Sequence, residues 1–167
     1  MINTTVVKSS SIQGLGVYAN QALDAGNVIL EIDDSHIVTD ESLLTEQQQQ
    51  FDCDYLANGK IILMQEPEKF INHSCEPTSY AKTFDGVRQV LAIKNIRVGE
   101  EITFDYAING DNEGTFICSC DAPNCRKVYN GNFFKLPIET QHKYLPYLDD
   151  WFVAEHVKEV EQLRKEK

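Results

Sequence analysis

Apolar residues in this chain come in short runs, each entered through a turn that contains glycine. Asn27-Val-Ile-Leu-Glu-Ile32 follows Ala25-Gly26, and Lys60-Ile-Ile-Leu-Met64 follows Asn58-Gly59. Gln89-Val-Leu-Ala-Ile93 follows Asp85-Gly86, and Ile102-Thr-Phe-Asp-Tyr106 follows Gly99-Glu100. Such runs read as short strands, with Asn-Gly and Asp-Gly as hairpin signals. The pattern predicts a mainly β (α+β) fold of several small sheets. Helical spacing enters at two places. Asp40, Glu41, Leu43, Leu44 and the glutamine run 47–50 predict a surface helix over roughly 40–50. Pro137 opens a short helix over 138–145, and Asp149 and Asp150 cap a longer one from Trp151 to Lys165. In that helix Val153, Val157, Val160 and Arg164 share a stripe, with Leu163 beside it and Glu and Lys on the other faces. This is the pattern of a helix packed on the domain. No internal repeat or long linker interrupts the chain.

Composition narrows the class. With 167 residues and 42% hydrophobic content, a single ordinary domain with its own core is expected. No apolar run approaches the ~20 residues that span a bilayer. Met-Ile-Asn-Thr-Thr carries neither the basic nor the apolar part of a secretory signal, so an intracellular, reducing address is expected, cytoplasmic or nuclear. Fifteen Lys+Arg against 26 Asp+Glu give a net charge of −11, which argues against direct nucleic-acid binding. An acidic surface steers cationic partners inward, or serves solubility alone.

Five cysteines are present, and three of them crowd into Cys118-Ser-Cys120-Asp-Ala-Pro-Asn-Cys125. An odd count without a signal peptide argues against a disulfide framework. Three thiols in one turn-rich loop suit tetrahedral zinc, with the fourth ligand open between Cys75 and Cys53. Free thiols are the competing reading. Asn72-His73-Ser74-Cys75 can bind a ligand or satisfy buried backbone. Gly14-Leu15-Gly16 permits close backbone approach but lacks the dinucleotide fingerprint. Phe104-Asp105-Tyr106 ends a strand, where a tyrosine hydroxyl can act in a site.

The order of these motifs is more informative than any one of them. Gly14-Leu-Gly16-Val-Tyr-Ala19, Phe70-Ile-Asn-His-Ser-Cys75, Gly99-Glu-Glu-Ile-Thr-Phe-Asp-Tyr106 and Cys118-x-Cys120-x₄-Cys125 together resemble a SET domain with a post-SET zinc loop, over roughly residues 5–127. The chain is similar to the small stand-alone members. The resemblance implies small β-sheets around a pseudoknot in which the Asn72-His73 segment threads beside the Phe104–Tyr106 strand. It implies an S-adenosylmethionine-dependent protein-lysine N-methyltransferase, with cofactor and substrate lysine entering from opposite faces. The substrate would be a basic protein segment such as a histone tail. By position, Gly14, Leu15 and Gly16 line the methionine part of the cofactor and Asn72 holds its amino end. His73 meets the adenine and braces the pseudoknot. Tyr106 matches the catalytic tyrosine, and Phe104 the position that sets methyl number, here implying di- or trimethylation. Cys75, Cys118, Cys120 and Cys125 match the zinc ligands, leaving Cys53 a plain buried thiol. Phe51 or Tyr55 supplies a further channel aromatic. Phe116, Phe133 and Phe134 cover the channel or cofactor, or belong to the core. The division expected is 1–112 SET domain, 113–130 zinc loop and 131–167 helical extension. Lys69 stands where the family often has Arg, and Thr78 where it often has Asn. A non-catalytic cofactor- or peptide-binding module and a zinc-stabilised interaction protein are the alternatives.

Overall fold

A computed structural model describes residues 4–166. Lys167 and Met1 to Asn3, part of the segment read for a signal peptide, lie outside the described residues. Eleven strands form four small sheets among these residues, and three helices follow them. The first sheet runs β1 (Thr5–Ser9), β2 (Leu15–Ala19), β9 (Glu101–Phe104) and β6 (Asn72–His73). The second places β8 (Val87–Ala92) between β3 (Val28–Glu31) and β7 (Ser79–Phe84). β4 (Cys53–Leu56) and β5 (Lys60–Leu63) form one ribbon, and β10 (Asp111–Ile117) and β11 (Val128–Asn132) another.

The hairpin signals act as turns. Asp85 and Gly86 have φ of 49° and 81°, and Asn58 and Gly59 have 58° and 69°. Both pairs thus occupy the left-handed region that tight hairpins require. The β6–β9 contact is different in kind. It is parallel, with Asn72 opposite Thr103 and His73 opposite Phe104. A segment thirty residues away in sequence is thereby laid along the strand that leads to Tyr106. Buried Thr78 stitches the same region together: its Oγ1 accepts from Thr103 N at 2.9 Å.

Two apolar clusters fill the interior. One joins Val17, Ala19, Leu23, Ile29, Ile71, Val90, Ala92, Ile96 and Ile102. The other joins Ala107, Ile108, Tyr129, Phe133, Leu136, Tyr144, Leu148, Phe152, Val160 and Leu163. The second cluster draws on α1 (Ile138–Tyr144), α2 (Asp150–Glu155) and α3 (Val157–Lys165). Phe133 is core, Phe134 packs on its edge, and Phe116 stays 40% exposed.

Three local expectations are corrected. The single helix over 40–50 is instead a 3₁₀ turn at Glu41–Leu43 and a wide π turn at Gln48–Asp52. Asp40 accepts from Ser42 N and closes the first turn. Thr45 and Gln48 then exchange side-chain-to-backbone bonds, a capping box that starts a new turn inside the stretch. The 151–165 helix breaks at His156 (φ −119°, ψ 37°). The His156 ring packs on Phe152 at 4.5 Å and Phe134 at 5.2 Å, and its Nε2 lies 3.4 Å from Asp111. The buried stripe is therefore Phe152, Val160 and Leu163, while Val157 is exposed. Asp149 makes no side-chain cap. Its carboxylate accepts from Thr83 N and Oγ1, both at 2.7 Å, and ties α2 to β7.

Candidate active site

Tyr106 lies just beyond β9, at the seam between the two clusters. Phe104 packs against the first and Tyr106 against the second, with their rings 4.9 Å apart. Both side chains line a cavity of about 640 Å³. Its other walls include Ile71, Val90, Met64, Arg88, Glu68 and Lys69. Phe51 and Tyr55, between which the sequence did not choose, both line it. Cys53 lines it too and is half-buried rather than a plain buried thiol. Burial, then the charges of Glu41, Asp52 and Asp54, raise its pKa. The wall extends to Trp151, Glu155 and His156, so the C-terminal helices belong to it.

The tyrosine hydroxyl is anchored: Tyr106 Oη donates to Ile71 O at 2.7 Å. Burial, first among the causes, pushes its pKa up. The phenol thus stays protonated at neutral pH and offers its oxygen lone pairs. Below it, Tyr106 N donates to His73 Nδ1 at 3.3 Å. Burial lowers the His73 pKa to about 4, with Asp105 opposing and Arg126 adding. The ring is therefore neutral, although Nδ1 lies 3.6 Å from Asp105. With Nδ1 accepting, Nε2 carries the proton and faces Cys75 Sγ at 3.5 Å.

The opposite side of the crossing carries the other motif. Gly14, Leu15, Gly16 and Asn72 do not line the cavity. Asn72 Nδ2 is directed at Leu15 O (2.9 Å), Gln13 O (3.3 Å) and Glu101 Oε1 (2.9 Å). Three acceptors thus compete for two N–H protons, a surplus that suits an ammonium. Gly14 has φ +47° with open space around it. Gly16 is glycine for another reason: a Cβ there would stand 2.3 Å from Glu101 Oε1.

The four cysteines Cys75, Cys118, Cys120 and Cys125 bring their sulfurs within 4.8 Å of one another. Cys75 and Cys118 sulfurs are 3.9 Å apart. Tetrahedral Zn–S bonds of about 2.3 Å place sulfurs about 3.8 Å apart, so the cage fits zinc. Cys53 is not part of it. Backbone N–H groups of Arg126 and Lys127 donate to Cys75 and Cys125, both at 3.4 Å. Burial raises Cys75 to about 11. At Cys120 burial also acts upward, but hydrogen bonds from Cys75 N, Ala122 N and the adjacent thiols bring it to about 7.

Asp105 and Arg126 escaped the sequence reading. Arg126 follows the last cysteine and grips fully buried Asp105 through two bonds of 2.7 and 2.9 Å. The cysteine loop is thereby bolted to the residue preceding Tyr106. Their only signal was adjacency to the motif residues Cys125 and Tyr106. Also missed was buried Arg88, which pairs with Asp34 at 2.8 Å and with Asp54, holding β4 beside the cavity.

Comparison with known proteins agrees with this geometry. Residues 14–107 match the family model described as SET domain. Human histone-lysine N-methyltransferase 2D is 33% identical over 141 residues, 77% of this chain and 2% of that protein. The Drosophila melanogaster histone-lysine N-methyltransferase trr is 32% identical over 77% of this chain and 6% of its own length. The H3 lysine-36 specific enzyme of Debaryomyces hansenii is 28% identical over 77% of this chain and 19% of its own. This chain therefore spans a small part of each of those relatives. A crystal structure of a candidate histone methyltransferase from Plasmodium falciparum superposes with a TM-score of 0.50 at 22% identity, covering 64% of this chain and 95% of that one, which supports the fold. With its sheets, its strand crossing and the match over 14–107, the chain belongs to the SET domain family.

Proposed function

We propose that this chain is an S-adenosylmethionine-dependent protein-lysine N-methyltransferase whose substrate is a basic, lysine-bearing segment such as a histone tail. The observation that carries the reading is the two-sided crossing. Tyr106 and Phe104 face a cavity on one side, and Asn72 gathers acceptors on the other. The names of the relatives support the activity and the histone class. They and Tyr106 speak against a non-catalytic module.

S-adenosylmethionine, when bound, supplies a methyl group on a sulfonium. Gly14, Leu15, Gly16 and Asn72 are the residues that would hold its methionine end, with His73 near the adenine. The chain's own task is to present a neutral amine. Lysine with a pKa of ~10.4 must give up its proton at a cost of roughly 4–5 kcal/mol at pH 7. Apolar walls such as Ile71, Val90 and Phe104 favour the uncharged form, and the proton leaves through the open mouth. Tyr106 Oη, its own proton committed to Ile71 O, accepts an amine N–H and fixes the lone pair's direction. Phe104 offers no hydroxyl to the amine and leaves room for di- or trimethylation. Zinc held by Cys75, Cys118, Cys120 and Cys125 would pin the loop 113–130 over the site. Residues 1–112 are then the SET unit, and 131–167 complete the cavity wall. The charge of −11 favours a cationic substrate.

The test is transfer of labelled methyl from S-adenosylmethionine to histones and to a cell extract. Label on lysine is expected, with Tyr106→Phe lowering turnover by about 10²-fold or more while leaving cofactor affinity within a factor of two. Normal turnover in Tyr106→Phe would remove the tyrosine from its role.

A further inference from the structure

Glu101 is a carboxylate that makes no ion pair among the described residues. Its Oε1 accepts from Ser10 Oγ at 2.8 Å and from Asn72 Nδ2 at 2.9 Å, and its Oε2 from Tyr18 Oη at 3.1 Å. Every one of these partners is a neutral donor. Two lysines on neighbouring segments, Lys8 on β1 and Lys69 before β6, are engaged elsewhere. Lys8 lies over the Tyr18 ring, 4.3 Å from its centroid. Lys69, on the approach to β6, pairs with Glu66 at 3.1 Å and lines the substrate cavity. The chain has also cleared space for the group, since any side chain at Gly16 would collide with Oε1.

A half-buried negative charge held by neutral donors lacks the counter-ion that would offset its desolvation. It sits where Asn72 and the Gln13 and Leu15 carbonyls already converge. Building on the methyltransferase reading, we infer that Glu101 is the anionic counterpart of the cofactor's cationic methionine end and tunes the site to the charged cofactor over its neutral product. S-adenosylmethionine carries a sulfonium and an ammonium against one carboxylate. S-adenosylhomocysteine has lost the sulfonium charge. A fixed negative charge therefore favours the first over the second, and helps spent cofactor to leave. Ser10 and Tyr18 are positioning residues, because they hold the carboxylate rather than the ligand.

Glu101→Gln tests the charge with little change of shape. Gln keeps an oxygen for Ser10 and Asn72 and can turn its amide toward Tyr18. Binding of both ligands to purified protein would be measured by calorimetry, beside melting of the ligand-free form. The expected result is a rise of about tenfold in the S-adenosylmethionine Kd with less than threefold for S-adenosylhomocysteine. Glu101→Asp, which keeps the charge, should retain most of the wild-type ratio. Equal losses for the two ligands, or none, would overturn the inference. Should Glu101→Gln fail to fold, Gly16→Ala displaces the carboxylate instead. A fall in the same ratio supports the inference, and an unchanged ratio overturns it. If wild-type protein binds neither ligand, the methyltransferase reading fails. If it binds both and the variants lower both alike, only the role of Glu101 falls.

Discussion

The two apolar clusters are built from different chemistry. The first is aliphatic throughout: Val17, Ile29, Ile71, Val90, Ile96 and Ile102 come from strands of two sheets and the loops between them. The second is aromatic at its centre, with Tyr129 held by β11 and Phe133, Tyr144 and Phe152 by short helices and turns. The first lies wholly inside the residues that match the family model, whereas nearly all of the second lies beyond them. Yet Phe104 rests on one and Tyr106 on the other. The region past residue 107 is thus half of the mould in which the tyrosine sits. Strand pairing lets the first cluster specify itself locally. The second has few long elements, so large rings and a cysteine cage take over the work of fixing it.

Cutting each cluster separately gives the largest contrast. Phe152 is fully buried among Phe133, Phe134, Trp151 and His156. Phe152→Ala should cost about 4 kcal/mol of stability. Ile102→Ala, equally buried in the aliphatic cluster, should cost a similar amount. The distinction is in where the protein opens. Hydrogen exchange should show α1, α2 and α3 losing protection first in Phe152→Ala, with β2 and β8 still protected. Simultaneous loss over both regions would mean that they unfold as one unit.

The link between the clusters is next in size. Arg126→Ala leaves Asp105 buried without its partner, at a cost of about 3 kcal/mol because 16% of the arginine side chain still meets water. The activity effect should exceed the metal effect: kcat down by about tenfold or more with zinc content unchanged. Arg126→Lys restores the charge but not the two-pronged grip, and should recover stability more than turnover. A variant that loses zinc and turnover in parallel would make Arg126 a support of the cysteine loop only.

Sheets and site differ in how far the sequence disclosed them. Asn58-Gly59 and Asp85-Gly86 demanded left-handed turns, and the apolar runs beside them had nowhere to go but strands. The cysteine triplet likewise pointed to a four-cysteine cluster, because Cys118, Cys120 and Cys125 are close in sequence and need only one distant partner. The break at His156 was hidden, since it follows from tertiary contacts with Asp111 and Phe134. So were the Asp105–Arg126 grip and the reason for Gly16. Each depends on residues far apart in sequence, Gly16 and Glu101 meeting through the β2–β9 pairing, and no local periodicity records such a meeting. The helix expected over 40–50 misled because a glutamine-rich stretch has good propensity, but Thr45 and Gln48 cap each other within it.

A third contact between the regions is weaker. Glu155 on α2 accepts from Asn58 N at 2.9 Å, at the tip of the β4–β5 hairpin. That hairpin carries Tyr55, and Tyr55, Leu56, Trp151 and Glu155 all face the cavity. The bond is exposed, so it holds a mouth in shape rather than a fold together. Glu155→Ala should therefore change stability by about 0.5 kcal/mol or less. Its effect should appear as a two- to threefold rise in KM for a lysine peptide, roughly the loss of one solvent-exposed bond, with kcat unaltered. Asn58 also sits at φ 58°, a conformation that other side chains adopt at a cost, so the tip is already shaped to present its N–H. An unchanged KM would show that the hairpin keeps its place through Arg88 and Asp54 alone, and that the helices past residue 149 meet the cavity without ordering it.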